Sequence, residues 1–164
     1  MTETEKIFYC QIGLISTAFA KLEHFIREII HLLINADSEF VSQLVIQDNT
    51  ISQNQKLMLK LNKYRQVQQD RIVELNKKID DLRINRNLFI HGDWNIHEKE
   101  GQEVIYVCST TKVTFKEVKY GTATYRNTHD DFSINDLEME VQQIHECVGM
   151  AKVIVSLLEE HRWF

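Results

Sequence analysis

Proline is absent from this 164-residue chain, and glycine occurs only five times. Both shortages remove residues that break or loosen helices, so long uninterrupted helices are expected. Cysteine is sparse too: Cys10, Cys108 and Cys147 stand far apart and share no metal-ligand spacing. Such an odd, scattered set makes neither a disulfide framework nor a zinc site, and it reads as the reduced thiols of a cytoplasmic protein. No run is apolar enough to span a bilayer. The best stretch, Ile7 to Ile34, carries Lys21, Glu23, His24, Arg27 and Glu28. The opening Met-Thr-Glu-Thr-Glu-Lys lacks the basic flank of a signal peptide. Repeats, linkers and low-complexity segments are missing as well.

Apolar residues make up 43% of the chain, which suits one packed domain over residues 1–164 and not a disordered one. The net charge of -5 argues against a general nucleic-acid coat. That charge is unevenly spread. From Gln55 to His91 nine basic residues face four acids, a local +5 that leaves -10 on the rest. Such a bias fits a site for a polyanion, and equally a solvated helix face.

Apolar periodicity places the helices. Phe8, Ile12, Ile15, Phe19, Leu22, Ile26, Ile29 and Leu33 recur in alternating steps of four and three, one stripe of a long first helix. Ile7, Leu14, Ala18, Phe25 and Ile30 widen the stripe, and Asn35-Ala36-Asp37-Ser38 reads as its stop. A short helical piece continues through Ile46. Another helix is expected from near Ser52 to Gln66, with Leu57, Leu61 and Tyr64 on one side. The next covers Asp70 to His91, and its seam reads Ile72, Leu75, Ile79, Leu82, Arg86, Phe89. Val104 to Cys108 and Val113 to Tyr120 then alternate as strands, with Ser109 to Lys112 as the turn and a third short strand around Thr122 to Arg126. Ser133 with Asp136 resembles a capping box before a last helix carrying Ile134, Leu137, Val141, Ile144, Val148, Ala151, Val155 and Leu158. The expected fold is mainly α: an up-and-down bundle of four to five helices with a small antiparallel β-hairpin, residues 101–126, inserted before the last helix.

One segment carries chemistry. Arg86-Asn87-Leu88-Phe89-Ile90-His91-Gly92 ends the helix with a guanidinium, an amide and an imidazole. Arginine can hold a phosphate, histidine can move a proton, and asparagine can orient either. Arg86 also occupies a seam position where an apolar residue is expected, which is costly unless a carboxylate or another anion meets it. Asn87 and His91 share a helix face, whereas Arg86 points about 100° away. A two-fold axis near these helix ends would gather two copies of the set around one cleft, so a composite site in a homodimer is the natural solution. The plain alternative is a salt bridge at Arg86 and a surface histidine.

Arg86-Asn87-Leu88-Phe89-Ile90-His91 resembles the signature of HEPN domains (higher eukaryotes and prokaryotes nucleotide-binding), in which an arginine, often followed by a polar residue, precedes a histidine. The order of helices is similar too. The resemblance implies a metal-independent endoribonuclease without cofactor, acting on RNA as a homodimer, in a toxin or an antiviral defence effector. It implies that His91 moves the proton of the ribose 2′-hydroxyl, Arg86 stabilises the phosphorane and Asn87 orients phosphate or imidazole. An antitoxin or a nucleotidyltransferase is the kind of partner it implies. Gly92-Asp93-Trp94 lacks the tyrosine that one branch of the family carries two residues after the histidine. Two other readings stay open: a HEPN-like dimer that binds nucleotide, RNA or a protein without catalysis, and a scaffold whose Arg86 makes an interface ion pair.

Other candidates have plainer readings beside the functional ones. Glu23 could reach Arg86 or face solvent. Asp93 could support His91 or act in a turn. Trp94 could stack a base or pack over the hairpin. The remaining histidines, His24, His31, His97, His129, His145 and His161, show no ligand pattern.

Overall fold

The computed structural model describes residues 1–34, 39–98, 103–116 and 122–160. Among these run five helices and three strands: α1 (Glu3–Ile34), α2 (Glu39–Ile46), α3 (Ile51–Arg65), α4 (Gln69–His91), β1 (Asp93–His97), β2 (Ile105–Lys116), β3 (Thr122–Phe132) and α5 (Ile134–Glu160). The mainly helical bundle with a small antiparallel sheet before the last helix is as expected. No helix among the described residues is long and apolar enough to cross a membrane.

α1 is the central element. It packs along α5 and against α3 and α4, because its stripe buries Phe8, Ile15, Phe19, Leu22, Ile26, Ile29 and Leu33. Ala18 and Ile30 join that core, while Ile7 and Leu14 stay exposed, so the stripe is narrower than the sequence suggests. α4 buries Ile72, Leu75, Ile79, Leu82 and Phe89 as expected. α5 buries Glu140 and Cys147 in line with Leu137, Ile144, Ala151 and Leu158, leaving Val141 and Val155 half-buried. Its start is the capping box read from the sequence. Asp136 Oδ2 accepts from the Ser133 backbone nitrogen at 2.7 Å, and the Asp136 nitrogen donates to Ser133 Oγ at 3.2 Å. Burial pushes the Cys147 thiol up to about 11, the behaviour of a packing residue and not of a reactive one.

Three expectations need correction. Tyr64 does not join the buried side of α3 but lies 81% exposed. The inward face of α3 is instead Met58 with Asn54, Gln55 and Asn62; the amino groups of Gln55 and Asn62 find acceptors there, while Gln55 Oε1 and Asn62 Oδ1 have no hydrogen-bond partner. Gln55 Nε2 donates to Asp80 Oδ1 and to Asn76, and Asn62 Nδ2 donates to the Gln69 carbonyl. Second, Ser109 to Lys112 do not turn. They lie mid-strand in β2, paired with Arg126 to His129 of β3, where Thr110 and Thr128 hydroxyls meet at 2.7 Å and Ser109 Oγ meets His129 Nδ1 at 2.8 Å. Short hydroxyl residues serve a turn or a cross-strand pair equally well. Third, the sheet is wider than the 101–126 insertion: the strand expected around Thr122 is there as β3, and a further strand, β1, extends the meander β1-β2-β3 from Asp93 to Phe132. The alternation of Trp94 and Ile96 with Asp93, Asn95 and His97 is the signal of its extra strand. The stop expected at Asn35 to Ser38, and Gly101, Val118 and Tyr120, lie outside the described residues.

The sheet is fastened to the bundle by aromatic rings. Phe8 of α1 stacks on Tyr106 of β2 with centroids 5.0 Å apart and meets Trp94 of β1 at 4.9 Å. Phe132 of β3 meets Phe89 of α4 at 5.0 Å. Trp94 Nε1 donates to the Phe89 carbonyl at 3.0 Å, so the indole satisfies one of the free acceptors of the last turn of α4.

Candidate functional site

The C-terminal turn of α4 is fixed by the glycine and the strand immediately after it. The Gly92 nitrogen donates to the Leu88 carbonyl at 2.8 Å, and the chain leaves at once as strand β1. Gly92 has an ordinary extended backbone, φ -79° and ψ 154°, so the requirement for glycine is spatial. A Cβ there would run into the sulfur of buried Cys108 and stand 2.7 Å from the Leu88 carbonyl oxygen. Burial, with Asp130 and Asp93 adding, pushes that thiol up to about 11, so it remains protonated and close-packed against the helix end. Gly92→Ala is therefore expected to destabilise the fold by about 1–3 kcal/mol, the usual cost of overpacking. Urea denaturation checks it, and an unchanged midpoint would contradict the close approach.

Arg86 is half-buried at the seam, at the position the periodicity assigns to it. No carboxylate meets it among the described residues. Glu23 pairs with Arg27 instead, at 3.9 Å on its own helix, so of its two readings the reach to Arg86 is not the one seen. The guanidinium lies 5.7 Å from the centroid of the Phe19 ring, a cation–π approach. One terminal nitrogen donates to Asn87 Oδ1 at 3.2 Å, and the buried Nε has no acceptor. The structure thus brings Arg86 and Asn87 together. His91, one turn past Asn87 on the exposed face, bonds to neither. Asp93, the first residue of β1, pairs across to Ser109 and makes no bond to His91. Trp94 is taken up by the aromatic cluster, the packing role and not the base-stacking one.

Neighbouring polar residues escape a reading of the sequence alone. Asn85 Nδ2 donates to Glu140 Oε2 at 2.9 Å, tying α4 to α5. Arg83 reaches Asp80 at 3.6 Å. The available signal is a pair of polar residues, Asn85 and Glu140, each next to a seam position of its helix. Glu140 is only 5% exposed, and burial raises its carboxyl above the ordinary range while the Asn85 bond pulls the other way. The folded chain consequently holds this proton more tightly than the unfolded chain does. The stability linked to it is present in acid and lost as pH climbs from the ordinary carboxylate value through the raised one. Glu140→Gln should flatten that slope and leave the variant the more stable of the two near neutral pH. Paired urea melts at about pH 4 and about pH 7 measure it.

As a set, the helix end offers an anion-ready guanidinium braced by an amide, and an imidazole open to solvent. Among the described residues no three histidine, cysteine or carboxylate side chains are grouped as a metal ion would need. Compared with known proteins, the chain matches no family model, no curated protein and no solved structure.

Proposed function

We propose that this chain is a metal-independent endoribonuclease of the HEPN type, cleaving RNA at a composite site where two α4 ends meet in a homodimer. The observation that carries the reading is Arg86: a half-buried cation on an apolar seam, with a buried Nε lacking an acceptor and no carboxylate beside it among the described residues. Protein interiors rarely leave a guanidinium so unless an anion arrives. A scissile phosphate is such an anion, and the planar fork of arginine suits it.

The chemistry uses the groups at hand. His91 takes the proton of a ribose 2′-hydroxyl, whose oxygen attacks the adjacent phosphorus. Arg86 stabilises the negative charge of the phosphorane. The bond to the 5′-oxygen breaks, and that oxygen leaves with a proton from the second subunit's histidine, which enters the reaction as imidazolium and ends as neutral imidazole. The products are a 2′,3′-cyclic phosphate and a 5′-hydroxyl, and deoxyribose is inert because it has no attacking group. Within one protomer Arg86 and Asn87 are joined while His91 stands one turn away, so a second copy supplies the convergence. A toxin or defence role, with an antitoxin or nucleotidyltransferase as partner, accords with that activity.

The test is incubation of the purified protein with mixed RNAs in chelator, with His91→Ala and Arg86→Ala beside it. Cleavage by the parent and by neither variant supports the reading. Cleavage that persists undiminished in both variants removes the site. RNA binding without products favours the non-catalytic dimer.

A further inference from the structure

A cavity of about 300 Å³ opens between α4, β3 and the start of α5, and its lining includes Asn85, Phe89, Asp131, Phe132, Asp136, Met139 and Glu140. Its walls combine two chemistries that seldom share a cleft. Phe89 and Phe132 meet edge-to-face at 5.0 Å, and Met139 is 56% exposed beside them. Three carboxylates, Asp131, Asp136 and Glu140, accompany this apolar surface, and among the described residues none has a cationic partner. Asp136 is held ionised by its two bonds from Ser133.

Glu140 is the residue that points to a ligand. It is 95% withdrawn from solvent, being 5% exposed, and one oxygen accepts from Asn85 while the other, Oε1, has no hydrogen-bond partner. A buried carboxylate with an orphaned oxygen is expensive unless a donor arrives. Nothing in the fold needs an acid there, since glutamine would accept from Asn85 as well. The geometry points to a binding site for an organic cation: a guanidinium or ammonium on a short apolar stem, its charge facing Glu140 in a cleft that Asp131 and Asp136 also line, and its stem against Phe132 and Met139. Metal binding is a poorer match, because no three of the described ligand-type side chains are grouped closely enough. The same charged head can belong to a free amine or to an arginine or lysine side chain of a protein. The site is separate from the proposed catalytic set, since neither Arg86, Asn87 nor His91 lines the cavity.

The experiment is a titration of the full-length protein followed by NMR at the Met139 methyl and the Asn85 side-chain amide. Agmatine serves as the free cation, N-acetylarginine amide as the side-chain form, and N-acetylcitrulline amide as the neutral isostere. Both cations should shift these two signals in a saturable way, and citrulline amide should not. Tighter binding of agmatine identifies a free amine as the ligand class, and tighter binding of the arginine amide identifies a protein side chain. Glu140→Gln should weaken either cation roughly tenfold or more, with RNA cleavage unchanged. Asp131→Asn, at an exposed strand position, should weaken binding several-fold without disturbing the core. Absence of saturable shifts in the parent, equal binding of the citrulline compound, or undiminished binding by both variants overturns the inference.

Discussion

If the proposed reaction is the one this chain carries out, replacing His91 by alanine should lower RNA cleavage by roughly a hundred- to ten-thousand-fold, the range associated with loss of one general acid–base group, and should leave the folded state unaltered. His91 is exposed and makes no hydrogen bond to Arg86, Asn87 or Asp93, so no packing is lost with it. On the same proposal Arg86→Ala should cost a comparable factor, because the charge that would develop on the phosphorane is left without its counterion. Arg86→Lys should not restore the rate, since an ammonium cannot present the planar fork. The companion expectation is on stability. Arg86 stands where the seam of α4 calls for an apolar residue, and its buried Nε is unsatisfied. Arg86→Leu should therefore be neutral or stabilising by about 1 kcal/mol, as when buried ionic groups give way to apolar ones, while cleavage disappears. Gain of stability with loss of activity is the mark of a residue kept for function. If Arg86 were an interface salt bridge, the same change would weaken assembly and leave no activity to lose. Analytical ultracentrifugation beside the cleavage assay separates the two.

The physical reason for what can be read in the chain is local. Long stripes such as Ile72, Leu75, Ile79 and Leu82 reveal helices because burial repeats with the helix period. Arg86 is conspicuous only against that regularity. Ser133 and Asp136 reveal a helix start because the cap is a contact three residues long. Pairings between distant segments are a different matter. Gln55 meeting Asn76 and Asp80 depends on how α3 leans on α4, and Glu140 meeting Asn85 spans 55 positions. Neither polar contact has a periodic signature, so the pattern of α3 suggests an apolar face of which Leu57 and Leu61 reach the core only in part and Tyr64 not at all. The sheet shows the same limit. Its strands are visible in part, but whether Ser109 to Lys112 bend or extend is decided by the partner strand and not by their own composition.

Phe8→Ala should be a severely damaging truncation, at about 3–5 kcal/mol. The ring is 2% exposed and touches three others: Tyr106 nearly parallel at 16°, Trp94 at 4.9 Å and Tyr9 at 5.4 Å. Removing it forfeits the transfer energy of a phenyl group and the pairwise attraction of the rings, and it leaves a hole that the rigid sheet cannot close. Against a usual total of about 5–15 kcal/mol, this is a large share. A shift of roughly 6–20 °C in Tm is expected for a chain of this length. Tyr9→Ala supplies the control, because Tyr9 is 59% exposed and its loss should stay within about 1 kcal/mol. The damage should also be directional. Phe8 holds β1 and β2 onto α1, and Trp94 of β1 in turn caps the Phe89 carbonyl of α4. Hydrogen exchange should therefore rise first in β1, β2 and the last turn of α4, with the middle of α1 and α5 protected for longer. His91 ends that turn, so cleavage should fall in Phe8→Ala at temperatures where the bundle is still folded. Equal loss of protection across all helices would instead mean that sheet and bundle unfold as one unit, and that the aromatic cluster supports the core without steering the histidine.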